Sequence, residues 1–242
     1  MMCFRQLARS PRARRVQHAP RPRRAFTLIE PSLALVIIGV GVLALVEAQQ
    51  SFIKSNGWST HAATATYLAN EIRERTRRLP KHDPVTGLYF ANNGSGGGAA
   101  LNGWGPEQGE VGVDDYDDLD DFDGLTLAFN GTPGRDDGDL PGPIDAFGAV
   151  IPEINANGAA MQDQDGRPMN LQGWAQRIEV RKVDPTNFNT VYDNDEVLPA
   201  DGSGFRGLAV DQFPLRVTVT VTYQGPFDTE PNIAAVVTWI VP

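Results

Sequence analysis

From Phe26 to Ala48 the chain reads FTLIEPSLALVIIGVGVLALVEA. Between Pro31 and Val46 every side chain is apolar or small, and none is charged. As a helix this run is about 34 Å long at ~1.5 Å per residue, enough to cross a hydrocarbon layer of ~30 Å. A core helix of a soluble protein is the competing reading, but so long a run with no polar face fits lipid better. Leu33, Leu35, Ile37, Ile38, Val42, Leu43 and Leu45 are therefore expected to anchor the chain. Gly39 and Gly41 let neighbouring helices approach closely.

Upstream lies a segment of opposite character. Residues 1–25 carry eight arginines (Arg5, Arg9, Arg12, Arg14, Arg15, Arg21, Arg23, Arg24) and no acid. Pro11, Pro20 and Pro22 oppose helix there, so the segment reads as a targeting leader. The net charge of −9 hides this split: beyond residue 25, thirteen of the 21 basic residues face all 30 acids, a net of −17. A basic tail, an apolar span and an acidic body predict a cytoplasmic N-terminus and an extracytoplasmic head. The arginines abut the apolar span, which favours membrane orientation over a nucleic-acid arm; no nucleic-acid partner is expected. Cys3 is the only cysteine, so no intramolecular disulfide forms and the head must hold together by other means.

Downstream, the helical pattern continues. Trp58, Ala62, Ala65, Leu68, Ala69, Ile72 and Leu79 recur at steps suited to one apolar stripe. Glu71, Arg73, Glu74, Arg75, Arg77 and Arg78 fill the opposite face, with Glu71–Arg75 and Glu74–Arg78 as i,i+4 pairs. Pro80 stops the helix, and Gly57 is an expected kink. The spacing thus predicts one helix over 26–79, transmembrane over 26–48 and amphipathic over 49–79. Residues 80–172 read as a loop-rich acidic insertion, with short strands at Leu125–Phe129 and Ala146–Ile151 and a linker-like cluster Gly94–Gly98. Residues 173–242 read as an antiparallel sheet: Trp174–Val183 and Pro214–Tyr223 alternate at period two, and Ile233–Val241 is an apolar return strand. The fold class expected is α+β, the amphipathic helix covering one face of that small sheet.

Arg24-Ala25-Phe26-Thr27-Leu28-Ile29-Glu30, ahead of an apolar helix, resembles the prepilin signal of type IV pilins and type II secretion pseudopilins. The resemblance covers about the first fifth of the chain. It implies cleavage between Ala25 and Phe26 by a prepilin peptidase, methylation of the new Phe26 amine, and Glu30 as fifth residue of the mature protein. It departs from the family at Ala25, where glycine is usual, and at Pro31, which falls in the helix's first turns, where a missing N–H matters least. The implied product is a pilin-like structural subunit, a minor pilin or pseudopilin. Its implied partners are other pilin or pseudopilin subunits, an inner-membrane assembly platform and membrane lipid. The implied location is the inner membrane, single-pass, with the filament in the periplasm or at the cell surface. Glu30 at the edge of a hydrocarbon segment is costly unless paired, which suits docking to a neighbour's amine.

Other signals are weaker. Arg23-Arg24-Ala25-Phe26 also resembles a twin-arginine signal, and Val46-Glu47-Ala48 fits a signal-peptidase site, which would release a soluble periplasmic binding domain starting at Gln49. The acid run 114–124 invites calcium through Asp117, Asp118, Asp120, Asp121 or Asp123, and some major pseudopilins bind calcium in a head loop. An EF-hand register fails, because counting back from Gly124 puts Leu119 at the first ligand position; Met161 stands there for the Asp163–Gly166 segment. A solvated acidic loop is the plainer expectation, and no other cofactor is expected. His18, His61 and His82 are the only histidines, and no nucleophile elbow, phosphate loop or zinc-protease motif occurs, so no enzyme is expected.

Overall fold

The computed structural model describes residues 28–91, 100–132 and 139–242. The leader 1–25, Phe26 and the Gly94–Gly98 cluster lie outside them. Two compact units are present, the first reaching to Ile53 and the second running Lys54–Pro242.

Helix α1 spans Ile29–Thr76 and stays helical through Gly57, the expected weak point. Pro80 explains its end: the chain leaves in a turn closed by Leu79 N–H to Thr76 C=O at 3.2 Å. Within the first unit α1 exposes its apolar side chains all round. Within the second unit it presents a narrow buried stripe of Ala65, Leu68, Ala69, Ile72 and Thr76. Trp58, placed on the expected stripe, is instead 74% exposed. The expected ion pairs also re-form differently. Glu71 accepts from Ala146 N–H (2.7 Å) and Arg75 donates to Val113 C=O (3.0 Å), so both hold loops to the helix. Glu74 pairs with Arg77 rather than Arg78.

The sheet is built on β5 (Trp174–Val183), β7 (Leu215–Tyr223) and β8 (Asn232–Val241). β7 pairs antiparallel with β5 from Trp174↔Tyr223 to Lys182↔Leu215, and with β8 on its other edge, with a register shift at Val221/Thr222. β3 (Thr126–Ala128) adds antiparallel to β5, β4 (Leu140–Pro141) adds parallel to β3, and β6 (Val191–Tyr192) pairs the end of β5. A separate pair, β1 (Tyr89–Ala91) and β2 (Ala100–Asn102), is antiparallel. Alternation decides the inner face: Leu215, Val217, Val219 and Val221 of β7 and Ile178 and Val180 of β5 are all buried. They meet the α1 stripe in one core cluster.

The 80–172 segment is part of that core. It supplies Val113, Tyr116, Leu119, Phe122, Leu127, Leu140 and Ile144 to the same cluster. The strand expected at Ala146–Ile151 is a turn with a single bridge, Ile144↔Val150, on its flanks. It begins a series of three tight hairpins, also bridged at Ile154↔Ala160 and Gln162↔Pro168. At each tip an Asx side chain (Asp145, Asn155, Asp163) accepts from the N–H groups two and four residues on. A glycine with positive φ follows three residues after each: Gly148, Gly158 and Gly166. Asp201 and Gly204 repeat the device further along.

Candidate functional site

The first candidate region is the apolar part of α1. Glu30 stands in its first turn, where a carboxylate suits the positive end of the helix dipole. Leu33, Leu35, Ile37, Ile38, Val42, Leu43 and Leu45 are all exposed. The helix is long and apolar enough to span a membrane, and its most apolar stretch buries nothing within the chain. A surface of this kind demands lipid or other helices around it. Ala25 and Phe26, the expected processing residues, fall outside the described residues.

The second region lies in the acid run, and here the structure corrects the sequence reading. Only part of the run is solvated: Asp114, Asp115 and Asp117 are exposed, but Asp118 and Asp120 are 0% exposed and Asp121 is 1% exposed. Tyr116, Leu119 and Phe122 interleave with the acids and drive them inward by packing into the core, Tyr116 edge-on to Phe122. A short 3-10 turn at Asp120–Phe122 follows, and backbone N–H groups fasten the carboxylates. Asp118 Oδ1 accepts from Asp120 N–H (2.9 Å) and Asp121 N–H (3.2 Å). Asp121 Oδ2 accepts from Asp117 N–H and Asp118 N–H, both at 3.1 Å.

The remaining oxygens have no such donors. Asp118 Oδ2, Asp121 Oδ1, Asp120 Oδ1 and both carboxylate oxygens of Glu107 are buried without a hydrogen-bond partner. One oxygen each from Glu107, Asp118 and Asp121 lie within 4.8 Å of one another, as do one each from Glu110, Asp117 and Asp121. Glu107 and Glu110 went unnoticed in the sequence because they precede the run, separated from it by Val111–Val113. Asp123, one of the sequence candidates, is engaged elsewhere: it accepts from Val180 N–H and Trp104 Nε1–H, with Arg181 3.7 Å away. Asp120 turns its Oδ2 to the buried His82 Nδ1 at 2.7 Å.

Electrostatics reflect this crowding. Burial, then the adjoining Asp120, pushes the Asp118 carboxyl up to about 8. Burial likewise raises Asp120, Asp121 and Glu107, each to about 7, with neighbouring acids adding to the rise. Burial lowers the His82 imidazole to about 4, so His82 stands neutral beside Asp120 at neutral pH. Lys182, also fully buried, is lowered to about 8 by burial; its ammonium donates to Asn194 C=O and lies over the Trp104 and Phe213 rings. Among the described residues, no lysine or arginine forms an ion pair with Glu107, Asp118 or Asp121.

The chain is thus an α+β protein with a long apolar N-terminal helix whose continuation packs on a small, largely antiparallel sheet. No family model matches the sequence, and neither a curated protein nor a solved structure does.

Proposed function

We propose that the protein is a pilin-like structural subunit, a minor pilin or pseudopilin that is trimmed by a prepilin peptidase and assembles through its N-terminal helix. One observation carries the reading: in sequence FTLIE runs into α1, whose apolar residues up to Val46 are exposed all round. That helix continues without interruption into one that covers an antiparallel sheet. A membrane anchor needs no acid at its start. Glu30 gains a purpose if the new amine of a neighbouring subunit pairs with it in an apolar filament core. There, removing one partner of a buried pair costs about 3–5 kcal/mol, enough to enforce register. The partners of this reading are the peptidase, other pilin or pseudopilin subunits, an inner-membrane platform and lipid. The head is then extracytoplasmic, since the arginines hold residues 1–25 in the cytoplasm.

A second reading has one observation in its favour. The compact unit begins at Lys54, close to the Ala48–Gln49 bond that a signal peptidase would cut. Sequencing the mature N-terminus of protein recovered from native membranes, together with its intact mass, separates the two. A methylated Phe26 start is expected. A Gln49 start makes the protein an exported soluble domain and ends the pilin reading.

A further inference from the structure

We propose that Lys182 and Asn194 form a self-modification site: the Lys182 amine displaces ammonia from the Asn194 side-chain amide, leaving an isopeptide bond between them. Lys182 is fully buried on the inner face of β5, its Nζ over the Trp104 and Phe213 rings at 5.6 and 5.4 Å. An ammonium carries three N–H donors, and here they find one acceptor, the Asn194 C=O. No carboxylate among the described residues forms an ion pair with it. A charged lysine so placed leaves donors bare and out of water, which is costly. An amide nitrogen has one N–H and no charge, and a single acceptor between two rings suits it.

The electrophile is at hand. Lys182 Nζ already meets the backbone of Asn194, and that residue's side-chain Oδ1 is buried without a hydrogen-bond partner. A turn closed by Glu196 N–H on Asp193 C=O (3.1 Å) holds Asn194 in place. Tyr192, which pairs with Lys182 across β5 and β6, packs edge-on against Phe213. Contact of this kind turns a slow bimolecular aminolysis into a step within one molecule.

The reaction balances without a co-reactant. The Nζ lone pair attacks Asn194 Cγ, the Nζ–Cγ bond forms, and the Cγ–Nδ2 bond breaks. Nδ2 leaves as ammonia and takes up the protons that Nζ gives up, so nothing is oxidised or reduced. Burial brings Lys182 down to about 8, so roughly a tenth of it is the neutral, nucleophilic amine at pH 7. Asp120, buried beside His82 and close enough for its charge to act on Lys182, is placed to pass a proton through its bare Oδ1.

The bond would also answer a structural need. Between β6 and β7 the strand pairing comes down to the single bridge Leu198↔Leu208. Tying Asn194 to β5 closes a loop and restricts that segment in the unfolded chain. A disulfide cannot do this, because Cys3 is the only cysteine.

The test uses the full chain, purified in detergent, then denatured and digested with trypsin. No lysine or arginine lies between Lys182 and Arg206, so an unlinked chain is cut after Lys182 and yields Val183–Arg206. A linked chain resists that cut and yields Lys182–Arg206, lighter than its sequence by one ammonia, about 17 Da. Fragmentation of this peptide should place the loss in a ring closed between Lys182 and Asn194. Lys182→Met keeps a long apolar side chain in the core and should give 182–206 at its full sequence mass. Asn194→Ala should restore the cut after Lys182, again with no mass lost. A parent that yields only Val183–Arg206 at full mass overturns the proposal. So does a loss of ammonia that persists in Lys182→Met, since the asparagine would then have closed on its own backbone.

Discussion

Gln176 shows how much of this head rests on single polar side chains. It is fully buried on the inner face of β5, where a sequence reading expects an apolar residue. Every part of its amide is used: Nε2 donates to Leu68 C=O (2.8 Å) and Ile144 C=O (3.1 Å), and Oε1 accepts from Ile144 N–H (2.8 Å). One amide therefore ties sheet, helix and the first hairpin tip together. Gln176→Ala would strand the buried Ile144 N–H and C=O and open a cavity. We expect it to destabilise the head by about 3–5 kcal/mol, mostly from the orphaned groups and the lost volume. Gln176→Leu should recover part of the packing but none of the hydrogen bonding, leaving a loss of about 2–3 kcal/mol. Chemical unfolding of the three proteins measures both; equal stability of Leu and parent would mean that the amide only fills space. The role was hidden in WAQRIEVRKV because alternation identifies which residues face inward, not what an inward polar group will meet. The acid run misled for a similar reason. Charge density argued for solvent, while Tyr116, Leu119 and Phe122, spaced three apart, were the part of the signal that decided burial.

Among the elements, those with long period-two runs were legible to within a residue. Trp174–Val183 matches β5, and the runs ending at Tyr223 and Val241 match β7 and β8. Their registers follow because a one-residue slip would turn Leu215, Val217, Val219 and Val221 outward. The hairpin series from Ile144 to Pro168 was not legible, since its strands are single bridges and its regularity lies in Asx and glycine positions rather than in hydrophobicity. Those positions make a paired prediction. Gly158 sits at φ +79 at a hairpin tip with open space where a Cβ would go, so Gly158→Ala carries backbone strain alone. A loss of about 1 kcal/mol is expected. Gly57 lies inside α1, also with open space around it, and Gly57→Ala should instead add about 0.5–1 kcal/mol by removing the entropy cost of a helical glycine. Opposite signs for two identical, contact-free substitutions would be read directly as shifts of the thermal midpoint. Equal signs would mean that one of these backbone conformations is not the one occupied.

At the scale of the whole molecule, one continuous helix is apolar and exposed in its first half and packed into a core in its last turns. Among the described residues up to Ile53 the apolar side chains are exposed and need lipid or other helices. From Lys54 onward the unit contains every residue of its own core, the first being Ala65. Eleven helical residues separate the boundary from Ala65, and among them His61 already packs against the Trp174 and Tyr223 rings. A chain beginning at Lys54 is therefore expected to fold without detergent and to remain monomeric at micromolar concentration. Its midpoint should lie within a few degrees of the full chain's in micelles, because the loss is confined to a fraying helix end worth about 1 kcal/mol or less. Circular dichroism melts and sedimentation equilibrium test this together. A cooperative melt from a monomer would place the stability of the head in Lys54–Pro242 and leave anchoring and assembly to the apolar helix. A molten or aggregated fragment would show that the apolar segment also holds the head's packing together, which a core that begins at Ala65 does not predict.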